Sequence, residues 1–319
     1  MTPARILVTG AGGFVGAHLM PQLRAAFPDA AVTPCDLRPG LTPLDVTDAR
    51  ATEALIASLR PDACIHLAGL AAVPAASKDP DLAWRVNLFG TLNVVRAVRR
   101  HASGCFCLFV SSADIYGASF RAGSALDEGA VVAPLNTYSA SKAAADLAVG
   151  ALAAEGLRAV RLRPFNHTGP GQTPAFVVPA FARQVARIAA GLQEPVIRTG
   201  ALDPWRDFVD VRDICAAYVA CLHHAERLQP GTILNLASGT PRRIGDILDS
   251  LLRLAGVSAR VEPREALLRP ADIPTARGNA AQARDLLGWC PERPWEQTLA
   301  DVLADWHERV RTEAAARTG

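Results

Sequence analysis

The sequence predicts an α/β protein: a doubly wound parallel sheet joined to a smaller, mostly helical C-terminal part. Three observations predict it. Short β-branched runs alternate with longer Ala-, Leu- and Arg-rich runs through the first half, the order that builds parallel strands linked by crossover helices. The strand-like runs are almost continuously apolar, as strands covered on both faces must be. A glycine-rich turn follows the first run and opens a helix. With 319 residues, half of them hydrophobic, the chain is long enough for two closely joined units.

The elements follow in order. "RILVTG" (5–10) reads as a strand, and residues 13–27 as a helix. "AVTPCD" (31–36) is the second strand, and 51–60 a helix closed by Pro61. A proline cannot continue the ladder of N–H donors, so Pro61 marks that boundary. "ACIHLAG" (63–69) is the third strand. Residues 83–101 form a long amphipathic helix with Val86, Leu88, Leu92, Val95 and Val98 among its apolar positions. "CFCLFVSS" (105–112) is the fourth strand, 137–155 a helix, and "LRAVRLRP" (157–164) the fifth strand. "RPFNHTGPGQTPAF" (163–176) is rich in Gly, Pro and Asn and reads as a long loop. Helices then dominate, at 175–191, 211–225, 244–255, 280–287 and 294–311, with one late strand, "TILNLAS" (232–238). The expected division is a nucleotide-binding part at 1–165, to which 207–238 returns, and a substrate part at 166–206 and 239–319.

Composition excludes several classes. Net charge is +2 and the basic residues form only doublets, Arg99–Arg100 and Arg242–Arg243, so the basic stripe of a nucleic-acid binder is missing. No run reaches the roughly 18 apolar residues of a membrane span. The chain passes straight into a short apolar run with no signal-peptide pattern. Seven cysteines (35, 64, 105, 107, 215, 221, 290) are scattered, odd in number and without CxxC spacing. That pattern predicts neither a disulfide framework nor a metal site, and suits a reducing cytoplasm.

Two groups of residues carry chemistry. Gly10, Gly13 and Gly16 punctuate the turn between the first strand and its helix, with Phe14 and Val15 opening the helix. Small residues let a pyrophosphate approach the free N–H groups and positive dipole end of that helix. Asp36 ends the second strand 20 residues after Gly16, where a carboxylate accepts hydrogen bonds from an adenosine ribose and favours NAD(H). Leu37 follows it, and Arg38 two residues on leaves NADP(H) open, because a guanidinium pairs with a 2′-phosphate. Asp45, next to Val46, is placed either to reach the adenine edge or to serve an ordinary polar loop.

The second group is Tyr138 and Lys142, two of only three tyrosines and two lysines in an arginine-rich chain. Residues four apart share a helix face. An ammonium beside a phenol lowers the phenol's pKa toward working pH, which would prepare Tyr138 for proton transfer to a carbonyl oxygen. Ser112, at the end of the fourth strand, is positioned to hold that oxygen, with Ser111 as its competitor. His167 reads as a loop anchor and His223–His224 as surface residues.

Taken together, Gly10/Gly13/Gly16, Asp36, "HLAG" (66–69), Asn87, Ser112, Tyr138 and Lys142 resemble the extended short-chain dehydrogenase/reductase family, whose nucleotide half is a Rossmann fold. Thr137 stands where many members have Pro. The resemblance implies that Lys142 also binds the nicotinamide ribose, that Leu67, Ala68 and Gly69 lie along the cofactor, and that Asn87 supports the neighbourhood of the fourth strand. "RPFNHTGPGQ" (163–172), "DPWRDFVDVRD" (203–213), "NLASG" (235–239) and "LRPADIP" (268–274) resemble the branch acting on GDP-linked sugars. They imply a substrate site with Asn166 on sugar or phosphate and Arg206 and Arg269 on the diphosphate; Arg suits that post by its bidentate geometry. The implied reaction is reduction of a GDP-4-keto-6-deoxyhexose at C4. Asp114, two residues after Ser112, keeps a 4,6-dehydratase open, as the scaffold keeps a 4-epimerase open and, more remotely, an inactive NAD(P)-binding regulator. The resemblance also implies a homodimer through helices 83–101 and 137–155.

Overall fold

The computed structural model describes residues 2–264 and 273–318. Its centre is a seven-stranded, wholly parallel sheet. In chain order the nucleotide half runs β1 (Arg5–Thr9), α1 (Phe14–Ala26), β2 (Ala31–Asp36), β3 (Thr42–Pro43), α2 (Ala49–Leu59), β4 (Ala63–His66), α3 (Val73–Lys78), α4 (Pro80–Trp84), α5 (Thr91–His101), β5 (Phe106–Val110), α6 (Thr137–Ala154) and β6 (Ala159–Pro164). A later strand, β10 (Ile233–Leu236), pairs with β6 and completes the spatial order β10-β6-β5-β4-β1-β2-β3. The order reverses between β1 and β4, which leaves a crevice outside the carboxyl ends of those strands.

Successive strand residues point to opposite faces, and here both faces are buried. Ile6, Val8, Ile65 and Leu108 pack beneath α1 and α8 (Val211–His223). Leu7, Cys64, Cys107 and Phe109 pack beneath α2, α5 and α6. This explains the unbroken apolar character of the strands.

The remaining elements are β7 (Asn166–Thr168), α7 (Val177–Ala189), β8 (Val196–Thr199), β9 (Trp205–Asp210), β11 (Pro241–Arg243), α9 (Ile244–Ala255), β12 (Arg260–Pro263), β13 (Thr275–Ala276), α10 (Ala281–Leu287) and α11 (Trp295–Thr318). Helices α7, α9 and α11 enclose a third core around Ile197, Phe208 and Trp306.

Two sequence expectations need correction. The segment after Pro164 is not simply loop and helix: β7, β9, β11 and β13 form one small sheet, and β8 pairs β12. These strands are two to six residues long, and "WRDFVD" is half charged, so no apolar run announces them. The long helix expected at 83–101 starts at Pro80 and carries a π-turn over Arg85–Gly90 between α4 and α5.

Candidate active site

The turn between β1 and α1 is shaped by small residues. Gly10 has φ +71°, and a Cβ there would lie 2.6 Å from the Ala68 nitrogen. A Cβ on Gly16 would lie 2.2 Å from the Ala11 carbonyl oxygen. Helix α1 has Gly13 at its N-cap, no side-chain cap and no acid in its first turn. Its first N–H groups and its dipole are therefore available to a phosphate. Phe14 stacks on His167 at 6.3 Å, and His167 Nδ1 meets the Phe165 carbonyl at 3.0 Å, an anchoring arrangement.

At the end of β2 the Asp36 carboxylate accepts from Gly12 N (3.0 Å) and from Arg38 N (3.1 Å). The Arg38 guanidinium folds back to donate to the Gly12 carbonyl. Leu37 is exposed beside them. Asp45 accepts from the amide and hydroxyl of Thr47 at 2.9 and 2.7 Å, while Val46 is buried.

Behind the crevice runs a buried polar chain. The Thr91 hydroxyl donates to the Asn87 carbonyl (2.7 Å), so it accepts from His66 Nε2 (3.0 Å). His66 Nδ1 is then left to accept from the Thr9 hydroxyl (2.7 Å). Burial, with the nearby Lys142 charge, pushes His66 down to about 3, and the ring stays neutral. Asn87 lies in the π-turn. It accepts from Leu70 N (2.8 Å), and its amide donates to Ser141 Oγ (2.9 Å) and Leu70 O (3.3 Å). Asn87 therefore ties the loop after β4 to α6, whose Lys142 meets the end of β5.

Helix α6 begins with a capping box between Asn136 and Ser139, so Thr137 replaces proline there without loss of a start signal. One turn on, Tyr138 and Lys142 are both buried. The Lys142 ammonium donates to the Val110 carbonyl at 2.8 Å and lies 5.5 Å from the Phe109 ring centre. A Cβ on Gly69 would sit 3.3 Å from Lys142 Nζ. Burial lowers Lys142 to about 8, and Asp146 opposes that shift. Ser112 hydrogen-bonds the Tyr138 phenol and accepts from Asp114 N at 3.1 Å. Ser111 is buried with no hydrogen-bond partner for its hydroxyl. Of the two serines, the geometry joins Ser112 to Tyr138.

The phenol itself reverses an expectation. Burial first, and the Asp114 charge second, raise Tyr138 above its ordinary value, against the Ser112 bond. Lys142 is directed at a main-chain carbonyl, so it does not acidify the phenol here, and Tyr138 is protonated at neutral pH.

Among the residues expected at the substrate, Asn166 is half-buried on β7 and pairs with Phe208 of β9. Arg206 donates to the carbonyls of Trp205 (2.9 Å) and Ile273 (2.7 Å). Arg269 lies outside the described residues. Arg163 and Asn235, from two of the motifs, sit in a buried network with Asp146 and Tyr116. Asp146 was the residue sequence reasoning passed over; the signal was an acid four residues beyond Lys142 on the same face. Away from the site, a cavity of about 260 Å³ lies between β9, α10 and α11, lined by Arg242, Trp289 and Trp295 among others. It contains none of Ser112, Tyr138 and Lys142.

The sequence profile of the NAD dependent epimerase/dehydratase family matches residues 6–237. GDP-6-deoxy-D-mannose reductase of Pseudomonas aeruginosa is 40% identical over 311 residues, covering 97% of this chain and 99% of that protein. UDP-glucose 4-epimerase of Azospirillum brasilense is 29% identical, covering 99% of this chain and 95% of its own. Among solved structures, RMD from Pseudomonas aeruginosa complexed with NADPH superposes with a TM-score of 0.86 at 36% identity, over 96% of this chain and 99% of that one.

Proposed function

Because the chain belongs to the NAD dependent epimerase/dehydratase family, we propose that it reduces the C4 ketone of GDP-4-keto-6-deoxy-D-mannose to GDP-6-deoxy-D-mannose (GDP-D-rhamnose). It is an NAD(P)-dependent oxidoreductase. The observation that carries the reading is the 40% identity to GDP-6-deoxy-D-mannose reductase over 97% of the chain, with Tyr138 and Lys142 buried on one face of α6. Reduction needs a proton donor at the ketone oxygen, and the Tyr138 phenol can fill that post.

The cradle at Gly10 and Gly16 and the uncapped start of α1 fit a dinucleotide. Gly10, Gly13, Phe14, Val15 and Gly16 would hold its diphosphate, Asp36, Leu37 and Arg38 the adenosine ribose, and Asp45 and Val46 the adenine side. Leu67, Ala68 and Gly69 would flank it, with Tyr138 and Lys142 at the nicotinamide ribose. When bound, the reduced nicotinamide supplies the hydride. Ser112 orients the ketone, Tyr138 delivers its proton to the developing alkoxide, and Lys142, held at the Val110 carbonyl beside Gly69, would place its positive charge at the nicotinamide ribose. Asn166, Arg206 and Arg269 would hold the GDP-sugar. NADPH is the donor in this reading, because RMD from Pseudomonas aeruginosa is complexed with it and Arg38 lies beside Asp36 for a 2′-phosphate; the free acceptor positions of Asp36 leave NADH open.

A dinucleotide part at 1–165 with 207–238, and a sugar-nucleotide part at 166–206 and 239–319, divide these tasks. The chain forms a homodimer through 83–101 and 137–155, where Phe89 and Leu147 are exposed. No helix among the described residues is long and apolar enough to cross a membrane, and six of the seven thiols are free and buried, which supports a cytoplasmic site of action.

The test is incubation with the ketosugar and either NADPH or NADH. Equimolar loss of reduced nicotinamide and formation of the 4-hydroxy product support the reading. Asp114, which is electrostatically coupled to Tyr138, favours a dehydratase as the second reading. Release of ketosugar from GDP-mannose alone, without net cofactor consumption, would establish that one instead. Tyr138→Phe should lower turnover by about 10²–10⁴-fold while NADPH binding, read by fluorescence, persists.

A further inference from the structure

We propose that Asp146 is a positioning residue of this site: it keeps Lys142 charged and locks the Tyr138–Lys142 helix to the segment that carries Ser112. The inference rests on the reading that Tyr138 and Lys142 do the chemistry. Positions 138, 142 and 146 follow one another at one-turn intervals on the inner face of α6. Asp146 is fully buried. Its Oδ1 accepts from Arg161 Nη1 (3.0 Å) and Arg163 Nη2 (2.8 Å), and its Oδ2 from Arg163 Nε (3.1 Å). Gly150, one turn further, makes room for this: a Cβ there would lie 2.7 Å from Arg161 Nη1. Glycine inside a helix costs about 1 kcal/mol against alanine, so the helix gives up stability to admit that guanidinium.

The network continues to the catalytic serine's own segment. Arg163 Nη1 donates to the Tyr116 hydroxyl at 3.0 Å, and its guanidinium lies 5.1 Å from that ring's centre. Tyr116 donates in turn to Asn235 Oδ1 of β10 at 2.8 Å. Tyr116 belongs to the 3₁₀ turn Ala113–Ala122, which Ser112 caps. One carboxylate thus couples α6, β6, the Ser112 turn and β10.

Charge decides the second half of the proposal. Asp146 faces three cations, Lys142 from its own helix and Arg161 and Arg163 from β6. His66, facing Lys142 from β4, is neutral. Asp114 acts on Tyr138. Glu128 lies beyond Arg163, with its carboxylate on Asn235 N at 2.7 Å. Guanidinium groups do not deprotonate in proteins. If the Asp146 charge is removed, the burial that lowers Lys142 loses the charge opposing it, so the ammonium gives up its proton more readily. The direction found for Lys142, held up by Asp146 against burial, agrees.

The experiment is a pH profile of kcat/KM for ketosugar reduction, with melting temperature measured in parallel. Asp146→Asn should move the alkaline limb down by about one pH unit or more, with Asp146→Glu restoring it. Arg161→Gln removes a competing cation and should move the limb the other way, up. A merely structural role would lower melting temperature in both and move neither limb; that result overturns the proposal. Should Asp146→Asn fail to fold, Arg161→Gln decides alone, an upward limb supporting and an unmoved limb overturning. Lys142→Met separates the two levels: wild-type turnover in that variant sinks the catalytic reading itself, whereas an inactive Lys142→Met with unmoved limbs sinks only the role of Asp146.

Discussion

Tyr138 and Lys142 show how far residue identity alone carries an argument. Their spacing places them on one face of a helix, and they do meet the end of β5 together. What spacing does not reveal is the dielectric around them. Burial acts in opposite directions on a phenol and an ammonium, raising the first and lowering the second, because it penalises whichever form is charged. The wild-type enzyme should therefore lose kcat/KM as pH rises through about 8, as Lys142 deprotonates, while Tyr138 stays protonated across that range. The sign for stability is the reverse. Lys142 is depressed in the fold relative to the unfolded chain, so the unfolded state binds more protons between the two values, and stability rises with pH above 8. The penalty below pH 8 is about 3 kcal/mol. A profile whose activity limb fell well above pH 10 would assign the limb to another group.

Elements contribute what single residues cannot. The periodicity of 83–101 identified a helix, but not the π-turn over Arg85–Gly90 that rotates Asn87 inward to bridge Leu70 and Ser141. A π-turn adds one residue to a turn and often marks a functional place; nothing in the apolar pattern distinguishes it from regular helix. Asn87→Ala leaves the Leu70 amide and the Ser141 hydroxyl without this partner. It should cost about 2–3 kcal/mol by melting or denaturant unfolding, and raise KM for the cofactor beyond what the stability loss explains. A stability change within about 0.5 kcal/mol would show that Asn87 does not tie loop to helix. The same limit explains β9: its strand character comes from pairing with β7, β11 and β13, from residues up to 70 positions away in sequence, and not from its own composition.

At the scale of the whole molecule, the reversal of strand order between β1 and β4 places the glycine turn, the loop after β4 and the start of α6 around one crevice. The outer faces of α5 and α6 carry the association proposal. Leu147 is 59% exposed on α6 and Phe89 55% exposed in the π-turn before α5. A second, shallow cavity on the same helices is lined by Arg96, Arg99, Arg100 and Leu152. Light scattering should give twice the 33.7 kDa chain mass, and Leu147→Glu should give a folded monomer. A wild-type monomer, or a dimer indifferent to Leu147→Glu, would count against this face.

By itself the sequence determined the alternation of strands and helices, the glycine turn, and the one-turn spacing of Tyr138 and Lys142, because each is set by neighbours a few residues apart. Tertiary structure alone decided which serine meets Tyr138, that burial raises the phenol and lowers Lys142, and that Asp146 gathers Arg161 and Arg163 behind Lys142. Those outcomes depend on burial and on charges brought together from distant segments. Neither has any local signature, since a side chain's electrostatic environment exists only once the chain has closed around it.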